Sequence, residues 1–146
     1  MINLAGVLGF QIETMKLDND LKSLVSILKE ENPQMRKEAA KAIGQIGNHN
    51  CLKYLFSVLK DDSWGVRAVA VQSVGKIAEK KDKKSRAKII DLLDDEDWTV
   101  RCAAIESLAR ISGPESIDLI APAVMDTDPH VKETAFNVLK SINETH

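Results

Sequence analysis

The residue types that most often carry chemistry are few in this chain and widely spaced. The three histidines are His49, His130 and His146, and no two of them lie four residues apart on a helical face. The two cysteines, Cys51 and Cys102, form no Cys-x-x-Cys motif. No serine, histidine and aspartate set indicates a nucleophilic triad, and no glycine-rich loop is typical of phosphate binding. We therefore expect no catalytic residues, no metal and no cofactor, and a protein that is not an enzyme.

Five carboxylates lie within a seven-residue segment, at Asp91, Asp94, Asp95, Glu96 and Asp97. This segment could hold a cation, but it lacks the glycine turn and the closing glutamate of a calcium-binding loop. We interpret it as a solvated turn between two helices, in which one carboxylate caps the second helix.

A basic run lies just before the acidic segment, between residues 76 and 88. Its cations are Lys76, Lys80, Lys81, Lys83, Lys84, Arg86 and Lys88, against two carboxylates. No aromatic residue is interleaved with them, whereas surfaces that stack nucleic-acid bases need such residues. We interpret the run as a solvated loop, with an acidic protein partner or nucleic acid as the alternatives.

The composition excludes several classes of protein. The 146 residues are enough for one domain, and the net charge of -2 lacks the basic excess of a protein held on nucleic acid by charge. Aromatic residues make up 4% and glycines number seven, which favours an aliphatic, helical core over a turn-rich β fold. No segment is long and apolar enough to span a membrane, and no basic residue precedes Lys16. We expect a cytoplasmic protein with reduced thiols.

The chain repeats itself around one basic position, which we call the anchor. Spacings of 31, 34 and 31 residues separate the four anchors, Arg36, Arg67, Arg101 and Lys132. Apolar residues recur one position before each anchor and three, seven and ten positions after it, which traces one face of an α-helix. A second apolar stripe precedes each anchor helix, so each unit is predicted to be a helical hairpin. A single hairpin cannot bury both stripes, and stacking of neighbours does so.

The predicted fold is therefore all-α, an α-solenoid of about four two-helix repeats over residues 19–146. The repeats span about 19–48, 49–79, 80–113 and 114–146. Their helices are predicted at about 20–30, 33–47, 51–60, 64–79, 84–94, 98–112, 115–126 and 129–143. Pro122 is expected to kink the seventh of these. The anchors are expected to reach the acidic turn of an adjacent unit, at residues such as Asp61, Asp62, Asp94 or Asp95.

Helix boundaries and the N-terminal segment complete this prediction. Short polar residues precede each second helix and are expected to be N-caps: Asn32, Ser63, Asp97 and Asp128. Gly47 and Gly113 suit left-handed C-caps. Residues 1–18 are expected to cap the open end of the solenoid. The alternative is that residues 1–14 do not belong to the natural protein, whose start would then be Met15.

Two segments carry a family resemblance: NPQMRKEAAKAIGQIG at 32–47 and DWTVRCAAIESLARI at 97–111. Both resemble the second helix of the short HEAT-like repeats named after phycobilisome lyases. The resemblance implies that the second helices line a concave surface and that the protein is a binding scaffold. The name of the repeat family suggests one alternative, which is a subunit of a bilin lyase or other modifying enzyme that needs a companion chain. A second alternative, a nucleic-acid-binding module, rests on the basic run at residues 76–88.

The expected partner surface lies two, five and nine residues after each anchor, opposite the core stripe. These positions hold Glu38, Lys41, Gln45, Val69, Gln72, Lys76, Ala103, Glu106, Arg110, Thr134, Asn137 and Ser141. This mixed polar surface suits a protein or peptide partner, and a merely solvated face is the alternative. Trp64 and Trp98 either anchor a partner at the rim or cover the adjacent hairpin. The terminal repeats could also pair two copies into a homodimer.

Overall fold

The computed structural model describes residues 4–145, and that part of the chain contains nine α-helices and no strand. The all-α solenoid prediction is confirmed. His146 and the first three residues of the predicted capping segment lie outside the described part. The helices are α1 (Leu4–Leu17), α2 (Leu21–Ile27), α3 (Pro33–Ile46), α4 (Leu52–Phe56), α5 (Trp64–Ile77), α6 (Lys83–Ile90), α7 (Trp98–Ser112), α8 (Ile117–Ile120) and α9 (Pro129–Thr145).

The first helix of each repeat is shorter than predicted. Turns or 3₁₀ segments replace the missing helix ends, at His49–Cys51, Asp91–Asp94, Gly113–Ser116 and Ala121–Met125. Pro122 lies in the first turn of the last of these segments, directly after α8 ends at Ile120. Because proline lacks an N–H and clashes with the preceding turn, it ends the α-helix instead of kinking it.

Three of the four predicted N-caps are confirmed. The side chains of Asn32, Asp97 and Asp128 each accept a hydrogen bond at 2.8 Å from the backbone N–H two residues on. The prediction for Ser63 is wrong, because its side chain makes no capping hydrogen bond. The Ser63 N–H instead donates to the Asp61 carboxylate at 2.9 Å. That carboxylate fixes the turn before α5, as Asp95 and Asp126 do before α7 and α9.

The two predicted glycine C-caps differ in conformation. Gly47 ends α3 in the left-handed region, at φ 72° and ψ 17°, which only glycine adopts at low cost. Gly113 follows α7 at φ 52° but ψ -129°, so it is not a left-handed helical cap as predicted. It opens the 3₁₀ segment Gly113–Ser116 instead, and its positive φ still explains a glycine there.

The second helices form a continuous row, which we call the second-helix row, in which α3 packs on α5, α5 on α7 and α7 on α9. The first helix of each repeat packs on its own second helix, which makes a second layer. Alanine three residues after each anchor is fully buried between them, at Ala39, Ala70, Ala104 and Ala135. At the N-terminal end α1 packs on both α2 and α3, with Ile12 buried. The capping role of residues 1–18 stays a prediction.

Two buried hydrogen bonds link consecutive second helices side by side. The Ser73 hydroxyl of α5 donates to the Ala40 carbonyl of α3 at 3.0 Å. One repeat further on, the Ser107 hydroxyl of α7 donates to the Val71 carbonyl of α5 at 3.1 Å. Each bond satisfies a buried hydroxyl that would otherwise cost free energy, and fixes the register of one repeat on the next.

A glycine lies beneath each of these serines. A Cβ placed on Gly75 would lie 2.5 Å from the Ser107 Oγ and 3.2 Å from its Cα. Gly44 stands in the same relation to Ser73. The glycines are therefore required by the close approach of the helices, since any side chain there would overlap the neighbouring repeat.

Candidate protein-binding surface

Three anchors clamp consecutive repeats together at the turns between helices. The Nε and Nη2 groups of each arginine donate to both carboxylate oxygens of one aspartate in the next repeat. The pairs are Arg36–Asp61 (2.8 and 2.9 Å), Arg67–Asp95 (2.9 and 3.0 Å) and Arg101–Asp126 (3.0 and 3.0 Å). Each Nη1 also donates to two carbonyls of the turn in its own repeat. This bidentate geometry is the one in which arginine binds carboxylates most strongly.

The predicted role of the anchors is thus confirmed for Arg36 and Arg67, whose acceptors were among the aspartates expected. The sequence did not single out Asp126, the acceptor of Arg101. Lys132, the fourth anchor, has no carboxylate within ion-pair distance among residues 4–145 and is exposed. Within the described residues no further repeat follows Lys132, so there is no aspartate of a next repeat for it to pair with.

Two of the clamps, Arg36–Asp61 and Arg101–Asp126, shift the pKa values of both partners. Burial alone would raise the pKa of Asp61 and Asp126, but hydrogen bonds from the arginine and from a backbone N–H outweigh it. The pKa of each carboxyl therefore lies below its ordinary value. The same hydrogen bonds raise the pKa of Arg36 and Arg101. Both charges of these two clamps are thus favoured in the folded state.

We expect acid to destabilise the protein through these groups. A carboxyl whose folded-state pKa is lowered stabilises the fold above its unfolded pKa of about 4, and this contribution is lost as the pH falls through the folded-state value. The urea midpoint should therefore stay level from pH 7 to pH 5 and fall below about pH 4. Asp126→Asn should show a smaller fall, and a wild-type midpoint that does not change in acid would contradict the prediction.

Most of the predicted partner-binding residues lie on the exposed side of the second-helix row. Lys41, Gln45, Gln72, Lys76, Glu106, Arg110, Asn137 and Ser141 are exposed, while Glu38, Val69 and Thr134 are half-buried. Ala103 is buried, so the stripe is interrupted in the third repeat. The helical spacing therefore placed most of these residues on one surface, and their role in binding stays a prediction.

The middle of this surface contains a cavity of about 220 Å³ between α5 and α7. Its walls are formed by four of the predicted residues: Gln72, Lys76, Glu106 and Arg110. Its floor is the buried contact of Gly75 with Ser107. The cavity thus presents two cations, one carboxylate and one amide above a floor without bulky side chains, and this arrangement can receive polar groups of a peptide.

Sequence reasoning missed the floor of this cavity. Serine recurs six residues after the anchors Arg67 and Arg101, and glycine eight residues after Arg36 and Arg67. This pairing of small residues repeats in phase with the anchors and would have predicted the close helix contact. The surface also continues onto α1, because Glu13 and Lys16 line a smaller cavity of about 80 Å³ with residues of α3.

A larger cleft of about 700 Å³ lies between α1 and the start of α3. Val7, Leu8 and Gln11 line it from α1, and Asn32, Met35 and Glu38 from the other side. Only Glu38 among these was predicted to bind a partner. The sequence could not indicate this cleft, because it depends on how α1 packs on the first repeat.

The two tryptophans are both exposed, to 53% for Trp64 and 40% for Trp98. The Trp98 ring stacks on His130 of the next repeat, with centroids 4.5 Å apart and planes at 21°. His130 is itself held by the Asp128 carboxylate at 3.1 Å. Trp98 therefore lies against the adjacent hairpin, and both tryptophans remain partly exposed to solvent.

Several of the residues singled out for chemistry in the sequence make structural contacts or have raised pKa values. Within residues 4–145, no group of three or more histidine, cysteine or acidic residues could hold a metal ion. The acidic segment is divided, because Asp95 pairs with Arg67 and Asp97 caps α7. Burial raises the pKa of the Cys51 and Cys102 thiols, which disfavours the reactive thiolate.

Part of the basic run is also held by contacts within the chain. The Lys80 ammonium donates to the Arg110 carbonyl, and Lys81 lies 3.8 Å from the Glu115 carboxylate. Lys84 lies 5.8 Å from the centre of the Phe56 ring. These contacts orient three of the cations without excluding the solvent or a partner. Separately, none of the helices in the described residues has the length and hydropathy needed to cross a bilayer.

Hairpins stacked in register through arginine clamps, with a row of second helices open on one side, define a solenoid repeat protein. The chain belongs to the HEAT repeat family, whose model matches residues 21–87 and 86–145. No curated protein matches the chain in a sequence search.

Solved structures show the same fold at low identity. The complex of CpcE and CpcF of phycocyanin lyase from Nostoc sp. PCC7120 superposes with a TM-score of 0.76 at 21% identity. That match covers 99% of this chain but only 62% of the other, so the chain spans less than two thirds of this relative. A designed armadillo repeat protein in complex with the peptide (KR)4 matches at 21% identity and a TM-score of 0.65, over 92% of this chain and 69% of that one.

Proposed function

We propose that this chain is a protein-interaction module that binds a segment of another protein across the exposed side of the second-helix row and has no catalytic activity of its own. The observation that carries the proposal is the cavity between α5 and α7, where Gln72, Lys76, Glu106 and Arg110 converge. The two solved structures described above each contain a second chain or a peptide, which supports a protein partner.

The chemistry of the cavity favours a polar peptide segment. The Gln72 amide can both donate to and accept from a peptide backbone, while Lys76 and Arg110 suit carboxylates of the partner and Glu106 suits a cation. The remaining exposed positions extend the same surface to the neighbouring repeats, at Lys41, Gln45, Asn137 and Ser141. Trp64 and Trp98 offer amphipathic rings that are favoured at binding hot spots.

A double substitution tests this surface. Gln72→Arg with Glu106→Arg adds three positive charges to the cavity walls and fills the cavity with two long side chains. We expect at least a tenfold loss of the partner that co-purifies with the wild-type chain from native lysate, as identified by mass spectrometry. The two arginine side chains exclude the partner sterically, and the arginine at position 106 repels the partner cation that Glu106 would bind.

The matched control changes charge equally on the first-helix layer. Ala87→Arg with Asp118→Arg also adds three positive charges, at exposed positions of α6 and α8. This control should retain the partner, and all three proteins should melt at similar temperatures. Equal recovery with the cavity variant and the wild type would place the partner elsewhere.

A second candidate function is a subunit of a bilin lyase or another modifying enzyme, completed by a companion chain. The superposition on the phycocyanin lyase complex over 99% of this chain favours it. The chain itself presents no activated nucleophile, so the companion would supply the chemistry. Absorption spectra of mixtures with bilin, candidate companion chains and acceptor proteins test this function. Absence of a bound chromophore in every mixture would exclude it.

We place the protein in the cytoplasm, because both cysteines are free thiols, which suits a reducing compartment.

We also propose a protein partner in preference to nucleic acid. The net charge of -2 and the contacts of the basic run give little support to a phosphate-binding surface. A gel shift with nucleic acid at low salt would contradict this preference. A second copy of the chain is a further partner that the terminal helices could accept.

A further inference from the structure

Helix α1 carries an exposed apolar stripe on one side. Val7, Phe10 and Leu17 are exposed to 42%, 75% and 77%, and the neutral Thr14 lies between the last two. Steps of three, four and three residues place these four side chains on one face of the helix. The opposite face, with Leu8, Ile12 and Met15, packs into the core. Phe10, Thr14 and Leu17 therefore point away from the contact with α3, while Val7, at the edge of the stripe, also lines the cleft beside α3.

The exposed stripe on α1 contrasts with the inner helices of the second-helix row, which are covered by a neighbouring helix on each side. Helices α3, α5 and α7 each have a packed neighbour on both sides, whereas α1 has one on a single side only within the described residues. The position four residues after the anchor shows the same rule, because Ala40, Val71 and Ile105 are buried there by the next repeat. At the other end of the row its equivalent, Phe136, is exposed to 63%.

The two ends differ in how much apolar surface they expose. On α9, Phe136 lies among the exposed residues Glu133, Lys140 and Glu144, and the last two are 4.0 Å apart. Docking α1 onto this end would bury those charges against apolar side chains, which is costly. The α1 stripe has the exposed Glu13 and Asp18 at its edges, but it presents three exposed apolar side chains where α9 presents Phe136, so its best complement is another apolar stripe of the same kind.

We infer that the α1 stripe is a self-association surface, on which the α1 helix of a second copy docks about a two-fold axis. Such an isologous contact places the same apolar residues on both sides, so the stripe of each copy is buried against the stripe of the other. It uses a surface separate from the proposed partner cavity.

The size of the stripe sets the expected affinity. A 14-residue helix is about 21 Å long, so a single helix pair buries less than the roughly 800 Å² per partner of a typical stable interface. We therefore expect a reversible dimer that forms at micromolar concentrations and dissociates on dilution.

Sedimentation velocity of the full chain over about 1 to 200 µM tests the inference. For the wild type, we expect the mass to rise from that of the 16.1 kDa monomer towards twice that value. Phe10→Glu should raise the dimer dissociation constant at least tenfold, because each copy would bury a carboxylate in the contact. Phe10 is exposed, so this variant should fold normally, and its circular dichroism spectrum and melting temperature check this.

Phe136→Glu is the matched control, because it makes the same change at the opposite end of the row. It should dimerise like the wild type, as should the variant Gln72→Arg with Glu106→Arg, which separates this surface from the partner cavity. A wild-type chain that stays monomeric at 200 µM would overturn the inference. Loss of association in Phe136→Glu would also overturn it, because the contact would then involve α9.

Discussion

Replacing Arg67 with alanine is expected to lower the free energy of unfolding by about 3 kcal/mol, close to the low end of the range for breaking a buried ion pair. The Arg67 and Asp95 side chains are exposed to only 9% and 8%. Without the guanidinium, the Asp95 carboxylate keeps one hydrogen bond, from the Asp97 N–H. The carbonyls of Asp61 and Asp62 also lose their shared donor. Urea denaturation should show a lower midpoint, and thermal unfolding a decrease of roughly 10 °C.

The anchor series provides graded controls for this prediction. The Arg36 and Arg101 clamps are more exposed, with side-chain values between 10% and 15%, so their alanine variants should lose about 2 kcal/mol. Lys132→Ala should change stability by less than about 0.5 kcal/mol, because this anchor makes no ion pair within residues 4–145. If Arg67→Ala were as mild as Lys132→Ala, the clamps would not couple the repeats.

An Arg67→Lys variant separates charge from geometry. Lysine keeps the positive charge but lacks the planar fork that holds the carboxylate and the turn carbonyls together. We expect it to recover less than half of the stability lost in Arg67→Ala. Full recovery would show that the clamp acts through charge alone.

The second helices were predictable because their signals agree with one another. Anchors, apolar offsets and N-caps recur in phase across four repeats, and the observed bounds of α3, α5, α7 and α9 lie within two residues of those expected. The clamps were partly predictable for the same reason, since a basic anchor and an acidic turn recur together. Lys132 has the correct position in the sequence, but the described residues contain no following repeat for it to pair with.

The first helices and α1 were harder to predict because their structure depends on tertiary packing. A short helix buried under a neighbour can change into 3₁₀ turns at little cost, and the apolar pattern does not distinguish the two. The segment before Met15 has no repeat equivalent, so its sequence could not show which side of α1 packs. Hence the cleft beside Met35 and the stripe around Phe10 were found only in the structure.

The candidate site was partly predictable because its residues share one offset on neighbouring helices. Gln72 and Glu106 both lie five residues after an anchor, and Lys76 and Arg110 nine residues after one. Stacking in register then brings the four together. The depth of the cavity was not predictable from these offsets, because it depends on how closely α5 approaches α7.

That close approach leads to the second large effect, which is expected from Gly75→Ala. The new Cβ would lie 2.5 Å from the Ser107 Oγ and 2.8 Å from its Cβ, and the Ser107 backbone prevents the side chain from moving away. The helices must separate, and the hydrogen bond from Ser107 to the Val71 carbonyl is strained or lost. We expect a loss of about 2 kcal/mol in urea denaturation, since overpacking outweighs the gain of about 1 kcal/mol in helix propensity.

Gly65→Ala is the matched control, because it makes the same change in the same helix. A Cβ there would meet its nearest neighbour, the Lys37 side chain, at 3.6 Å, which is an ordinary contact. Gly65→Ala should therefore be neutral or more stable by up to about 1 kcal/mol. The difference between the two variants measures the cost of separating the second and third repeats. If Gly75→Ala were as stable as Gly65→Ala, the second helices would pack less tightly than the structure shows, and the cavity floor would be free to move.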